Sequence, residues 1–410
     1  MKILLVNNLY PPHTRGGAEQ VVVAETRGLR EAGHDVVVLT AEPFRGFRSL
    51  GTTKSIEDGI RVLRFYPLNL FFYANDHKHN TVVRLMWHFW NLINPHSALV
   101  FWRAIKHERP DAIHFHNING IGFLLPLIAT MARGGSTKQS PKTALTLHGL
   151  QYAIPDGIMT VGHEQDFRVS GFLVRWYGRV VSALLGSIQT VISPSQYLLD
   201  FYSSRGFFQK QKKIVLRNPP PHFHAVPQSS VADGRMRILY VGQIEDHKGI
   251  FFLLSVIPSL PRDLVLTIIG DGTQVSRLKE HTKNDLRIHF IGPVSHDKLG
   301  QYYASADFLI FPSLYYENMP MVIAEAFAHG LPVIAAHIGG VGELVEDGNT
   351  GFLFVPGDAE SLREAVAQAL QSRHLWTVLR VAATKKADEY HLDRYIAQLI
   401  GVYTRGVDNL

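Results

Sequence analysis

Residues 307–336 read "DFLIFPSLYYENMPMVIAEAFAHGLPVIAA", and the fold turns on how this stretch divides. The run "DFLIFPS" reads as a strand that leads into "LYYENMP". The helix that follows begins near Pro320 or Met321, where proline is tolerated because no N–H is needed. Gly330 closes that helix, Pro332 prevents its resumption, and "PVIAAHIGG" carries the next strand. Two carboxylates hold set positions in this plan: Glu317 on the loop at the strand's carboxyl end, Glu325 about a turn inside the helix. Backbone N–H groups within residues 318–322, Pro320 excepted, and the positive end of the helix dipole make such a helix start a place for anions, phosphate above all. Carboxylates beside it are poor phosphate ligands and good acceptors for sugar and ribose hydroxyls. Taken alone, the two glutamates would equally serve to stabilise the helix dipole by ~0.3–1 kcal/mol.

The same alternation runs outward in both directions. After residue 237 come "ILYVG", "LVLTIIGDG", "IHFIGPV" and "GFLFVPGD"; before residue 217 come "KILLVNN", "DVVVLTA", "GIRVLRFY", "AIHFHN", "TALTLHG" and "TVISPS". The opening strand, the loop "LYPPHTRGGAEQ", the amphipathic run "VVVAETRGLREAG" and "DVVVLTA" form a βαβ unit. Between the halves lies "RNPPPHFHAVPQSSVADGRMR", whose prolines and polar residues continue neither a helix nor a central strand. The fold class expected is α/β, with two Rossmann-like parallel-sheet domains facing a cleft. Their bounds are 1–216 and 238–385, joined by a linker at 217–237 and followed by a terminal helix within 386–410.

Composition narrows the function. At 410 residues, 46% hydrophobic and 19% charged, the chain is a globular protein of about two domains. No window approaches the ~18 apolar residues of a membrane span, and "MKILLVNNLYPP" is a first strand rather than a signal peptide. The absence of cysteine excludes disulfides, zinc–thiolate sites and thiol nucleophiles. Together these traits predict a cytoplasmic protein. Lys and Arg number 41 against 35 acids, a net charge of +6, but they are scattered; nucleic acid is not expected as a partner. The 21 histidines form no metal motif, and "HFH" at residues 222–224 sits in the linker.

Read with "GLPVIAAHIGGVGELVEDGNTGFLFVPGD", the opening stretch closely resembles the signature of retaining glycosyltransferases of family 4, bacterial surface-polysaccharide type, which have the GT-B fold. Ordered matches cover nearly the whole chain: "PPHTRGGAE", "PDAIHFHN", "TLHG", "VISPS", "LRNP", "VGQIEDHKG", "IIGDG" and "FIGPV". The resemblance implies a hexosyl transfer from a UDP- or GDP-type nucleotide sugar, with no cofactor and no metal, and a terminal helix that packs back on the N-terminal domain. It gives Glu317 the donor sugar's hydroxyls, Glu325 the ribose, and Lys248 the diphosphate, with His116, Lys248 and Glu317 as the catalytic set. Donor contacts would also come from Gly16, Gly17, Asn318, Met319, Pro320 and Met321, and around the base from the backbone of Gly292 to Val294. Gln243 departs from the family's usual arginine, which removes a bidentate phosphate partner; Arg15 and His247 are the candidates to compensate. His116 and His148 would lie on the acceptor side, although the family often has aspartate where this chain has Gly149. His114 and His116 are expected on opposite faces of one strand, His114 being structural.

The acceptor is sought in residues 66–108, where Trp87, Phe89, Trp90, Phe101 and Trp102 crowd among basic residues. Either they are core contacts of long helices, or they form a peripheral membrane surface for a glycan or polyprenyl-diphosphate-linked acceptor at the inner face of the cell membrane. Two rival functions share the nucleotide site: a GT-B-fold sugar-nucleotide epimerase and a non-catalytic nucleotide-sugar-binding subunit, the latter suggested by Gln243.

Overall fold

The computed structural model describes residues 1–132, 140–220 and 234–404, with backbone alone for residues 76–78 and 81. Most of the linker expected at 217–237, including "HFH", lies outside the described residues.

Two compact units result. Of the described residues, the first joins those within 1–157, 166–217 and 392–404 and the second those within 158–165 and 218–391. In the first unit the strands are β1 (Lys2–Val6), β2 (Asp35–Ala41), β3 (Thr53–Glu57), β4 (Ile60–Phe65), β5 (Ala112–Phe115), β6 (Lys142–Thr146), β7 (Thr190–Ser193) and β8 (Lys212–Val215). Its helices are α1 (Gly17–Glu31), α2 (Thr81–Leu92), α3 (Pro95–Glu108), α4 (Leu125–Ala129), α5 (Phe167–Ser170), α6 (Phe172–Leu185) and α7 (Gln196–Ser204). The second unit has β9 (Met236–Val241), β10 (Leu264–Ile269), β11 (Ile288–Gly292), β12 (Phe308–Phe311), β13 (Val333–Ala336) and β14 (Gly351–Phe354). Its helices are α8 (Ile250–Val256), α9 (Val275–Thr282), α10 (His296–Ser305), α11 (Met321–Ala328), α12 (Ala359–Gln371) and α13 (Trp376–Ala387), after which α14 (Leu392–Thr404) belongs to the first unit.

Both sheets are doubly wound. The first runs β3-β4-β2-β1-β5-β6-β7-β8, parallel except for the antiparallel edge strand β3. The second runs β11-β10-β9-β12-β13-β14, all parallel. Right-handed crossovers place helices on both faces of such sheets, so the central strands are apolar throughout and buried; β1 is buried from Ile3 to Val6 and β12 over its whole length. The order reverses between β1 and β5 and between β9 and β12. Loops leaving neighbouring strands there diverge to opposite faces and open a crevice at the carboxyl ends.

The return of α14 depends on one glycine. A Cβ on Gly28 of α1 would stand 2.6 Å from Ile396 Cγ1, so only glycine lets the two helices close up. Leu392, Tyr395, Ile396, Leu399 and Tyr403 of α14 are buried in the first unit's core beside Val22, Leu29 and Ala144. Residues 158–165 lie in the second unit because their backbone bonds there: Val161 N donates to Leu314 O, and Tyr316 N to Met159 O. The sequence pattern places this segment with residues 1–216; its partners lie about 150 residues on, where no local pattern points.

Candidate active site

The crevice of the second unit holds the two carboxylates of the opening stretch. From β9 the chain passes through Gly242, Gln243 and a 3-10 turn at Asp246–Lys248; from β12 it passes through Ser313 to Glu317. The two loops are bonded together, Leu314 N donating to His247 O. This delivers Lys248 Nζ to 2.5 Å from Glu317 Oε1, a pair whose side chains are largely but not fully covered. Ser313 Oγ donates to the same oxygen at 3.4 Å, and the ammonium also stands 5.2 Å from the centre of the Tyr315 ring. Behind the loop, Gly340 N donates to Glu317 O at 2.8 Å. Gly339 has a positive φ of 57°, and a Cβ there would stand 2.1 Å from the Glu317 carbonyl oxygen. The "HIGG" sequence thus serves to let a backbone pass directly beneath Glu317.

The helix α11 begins at Met321 with Pro320 as its N-cap, while Asn318 and Met319 are buried in the approach to it. Met319 Sδ accepts from Asn218 N at 3.1 Å. Glu325 is buried on α11, where Tyr303 OH donates to its Oε2 at 2.7 Å and His296 Nε2 lies 3.6 Å from Oε1. The carboxylate raises the pKa of His296, against the lowering effect of burial. Tyr303 and His296, both from α10, have no signal in the sequence; they meet Glu325 only through helix packing.

Gln243 is exposed, and its carbonyl accepts from Tyr240 OH at 2.8 Å. His247 packs edge-on to Tyr315, and burial together with Lys248 lowers its pKa. Gly292 ends β11 with φ 87°, and its carbonyl accepts from Gly270 N at 3.0 Å; Val294 is half-buried.

In the first unit, Gly16 caps α1 and Gly17 is its first residue. Gly16 N donates to Glu19 Oε2 at 2.8 Å, and a Cβ on Gly16 would meet nothing within 4 Å. The space above this helix start is therefore open. Arg15 is turned to Tyr73, its guanidinium 5.2 Å from the ring centre.

His114 and His116 correct the expectation of opposite faces: their rings are 4.2 Å apart on one face of the sheet. Side chains alternate with a period of two, so residues two apart share a face. Both reach Glu25 of α1, a fully buried carboxylate that carries no signal in the sequence. His116 Nε2 lies 2.9 Å from Glu25 Oε2 without hydrogen-bond alignment, and His114 Nδ1 lies 3.6 Å away. Around them Tyr395 OH donates to Glu25 Oε1, Tyr403 OH is 2.7 Å from His114 Nδ1, and Thr146 Oγ1 is 2.8 Å from His114 Nε2. His116 Nδ1 is 3.1 Å from His148 Nε2, and His148 alone of the three histidines is partly exposed. Burial, reinforced by His116, holds the pKa of His114 well down and lowers that of His148 to about 3. Burial pushes Tyr395 and Tyr403 up, and Glu25 adds to it. Glu25, His114 and His116 bring ligand-type atoms within 4.8 Å of one another. Hydrogen bonds to Tyr395, Tyr403, Thr146 and His148 satisfy Glu25 Oε1, both nitrogens of His114 and Nδ1 of His116, while Glu25 Oε2 and His116 Nε2 have no hydrogen-bond partner.

Comparison with known proteins places the chain. Residues 16–219 match the glycosyl transferase 4-like domain and residues 225–388 the glycosyl transferases group 1. These two models span most of the chain, which belongs to this family of glycosyltransferases and has its two-domain GT-B fold. It is 28% identical over 389 residues to the glycogen synthase of Mycobacterium tuberculosis, covering 90% of this chain and 86% of that one. To the putative teichuronic acid biosynthesis glycosyltransferase TuaC of Bacillus subtilis it is 25% identical over 394 residues, covering 92% and 90%. Among solved structures, Anabaena HepE in complex with UDP-glucose matches with a TM-score of 0.67 at 20% identity, over 98% of each chain.

Proposed function

We propose that this glycosyltransferase moves a hexosyl group, with retention, from a UDP- or GDP-type sugar to a sugar hydroxyl of a glycan or polyprenyl-diphosphate-linked acceptor in cell-surface polysaccharide synthesis. The observation that carries the reading is the Lys248–Glu317 pair at the second sheet's switch point, on a loop that Gly339 and Gly340 hold from behind. A nucleotide diphosphate presented there meets an ammonium, and the sugar beside it meets a carboxylate. The names of relatives support both ends of the reaction: HepE was solved with UDP-glucose, and TuaC is assigned to teichuronic acid synthesis. Those relatives carry transferase or synthase names, which does not favour an epimerase or a binding subunit.

In the proposed step the bond from the anomeric carbon to the diphosphate oxygen breaks, and its electron pair leaves with the diphosphate. Lys248 and the start of α11 stabilise that charge as it develops. The acceptor hydroxyl bonds to the same face of the carbon and gives its proton to a leaving phosphate oxygen. Glu317 orients the sugar through its hydroxyls, Glu325 serves the ribose, and His116 and His148 serve the acceptor side. No cofactor or metal is assigned a part. The enzyme works in the cytoplasm, peripheral to the inner face of the cell membrane.

Glu317→Gln tests this reading. It keeps the shape of the side chain and removes the charge that accepts from hydroxyls and pairs with Lys248. Transfer measured with the sugar nucleotide that binds in calorimetry should fall by about 100-fold, with nucleotide affinity nearly intact and no effect of chelator on the parent. A variant as active as its parent would remove Glu317 from the mechanism.

A further inference from the structure

We propose that α2, α5 and α6 form one face that docks on an anionic lipid bilayer. The inference rests on the lipid-linked acceptor proposed above and names the surface that would meet its membrane.

The helix α2 is built inside out. Its inward face carries Trp87, His88, Asn91 and Leu92, and the amide is accommodated by specific bonds: Asn91 Nδ2 donates to Asn119 Oδ1, and Asn91 Oδ1 accepts from Gly120 N. Its outward face carries Val82, Leu85, Met86, Phe89 and Trp90, and Ile93 continues the stripe just past its end. That spacing, 82-85-86-89-90-93, follows a helical period as faithfully as any core-facing stripe, yet Val82 is 67% exposed and Ile93 64%. Of the aromatic residues expected in either core or membrane surface, Trp87 and Phe101 are core, Phe89 and Trp90 are outside, and Trp102 is half-buried beneath Lys106.

The patch does not end with α2. Phe89 meets Trp176 of α6, ring centres 5.8 Å apart, and Phe172 and Leu173 at the start of α6 and Phe167 of α5 are also exposed. An apolar surface of this kind, rimmed by charge, marks an interaction site. Charge identifies the occupant. Helices α2, α5 and α6 contain no Asp or Glu and four Arg, Arg84, Arg168, Arg175 and Arg179, with Asp166 as the acid just before α5. A second copy of this chain would bring the same cations against themselves. An anionic bilayer takes both features at once, the aromatic and aliphatic side chains at the headgroup–acyl boundary and the cations among the headgroups. The same helix also helps line a small pocket, to which it adds Arg84, Trp87 and His88 opposite Tyr73, Gln151 and Asp156. Among the described residues no helix is long and apolar enough to cross a membrane, so attachment by this face would be to one surface.

Flotation of the full chain with vesicles tests the face. Binding is expected to vesicles of phosphatidylcholine mixed with phosphatidylglycerol, not to phosphatidylcholine alone, with a blue shift of tryptophan emission and weakening by salt. The pairs Met86→Ser with Phe89→Ser and Phe172→Ser with Trp176→Ser should each weaken binding by about tenfold. Arg168→Glu with Arg175→Glu, wholly at the surface, should do the same without touching the apolar stripe. Each variant should keep the parent's melting temperature and nucleotide affinity. Absence of vesicle binding, binding indifferent to these variants, or a concentration-dependent dimer that they abolish would overturn the proposal. Lys248→Ala separates the two readings: it should lose nucleotide affinity and keep vesicle binding, so each can fail alone.

Discussion

Each unit of this glycosyltransferase places charged side chains at the point where its strand order reverses, and the two arrangements differ in how they are closed. In the first, Glu25 is fully buried and surrounded by His114, His116 and Tyr395, with Tyr403 and His148 one step further out. In the second, Glu317 meets Lys248, Ser313 and the backbone of Gly340, and its pair stays partly open. A buried carboxylate loses hydration and must recover it from fixed partners, so removing one partner leaves the others in want. A pair open on one side can exchange its partner for a ligand. The first arrangement therefore holds α1, β5, β6 and α14 together and orients His116. The second is where the proposed function places the chemistry.

This contrast can be broken by experiment, and the largest effect expected is on catalysis. Lys248→Ala should lower kcat by about 100- to 1,000-fold, the loss usual for a donor aimed at developing charge. It should change the unfolding free energy by less than Glu25→Ala does, because the pair is open on one side and the Glu25 cluster is not. A variant that unfolded readily would show that the open pair is structural after all.

Glu25→Ala should behave in the opposite way. It leaves Tyr395 OH without its acceptor and removes the carboxylate beside His116 in a closed space, and should destabilise the first unit by about 3 kcal/mol in denaturant titration. Nucleotide affinity should be retained, because Lys248, Glu317 and Glu325 lie in the second unit. If stability were unchanged, the cluster would not be the fastener described.

The pH dependence should differ in sign between the units. His114 and His148 have folded pKa values below the ordinary 6.5, so the unfolded chain takes up protons that the folded unit resists. Stability of the first unit should fall as pH drops below 6.5, and keep falling toward about 3. His296 has a raised pKa beside Glu325; its contribution is present below 6.5 and is lost as pH rises through the folded value. Its ring is partly exposed, so this second effect is the smaller. Melting curves of His296→Asn and the parent between about pH 5 and pH 8 should converge at the alkaline end.

Tyr403→Phe gives the smallest change, about 1 kcal/mol for one buried hydrogen bond lost to His114. A far larger loss would mean that α14 depends on this bond rather than on the packing of Leu399, Ile396 and Tyr395.

Much of the second unit's site is legible in the amino-acid sequence. The helix from Met321, its closure at Gly330, and the place of Glu317 on a strand-end loop follow from proline, glycine and apolar spacing within some thirty residues. The two aromatic helices of residues 81–108 are legible as helices, but their orientation is not. Apolar residues on α2 fall on two faces, and only the partners of Asn91 and Trp87 decide which face turns inward. Glu25 is illegible because, in the sequence, it is an acid in an amphipathic helix like any surface glutamate.

By itself, then, the sequence determined the alternation of strand and helix, the two sheets, and the loops on which Lys248 and Glu317 stand. These depend on backbone preferences and hydrophobic periods that act over a few turns. Tertiary structure alone decided that Lys248 and Glu317, 69 residues apart, share a hydrogen bond. It also decided that α14 closes the first unit through Gly28, and that the most apolar face of α2 is the one turned outward. Such contacts depend on which surfaces are left after the sheets have packed, a property of the whole fold that no local stretch contains.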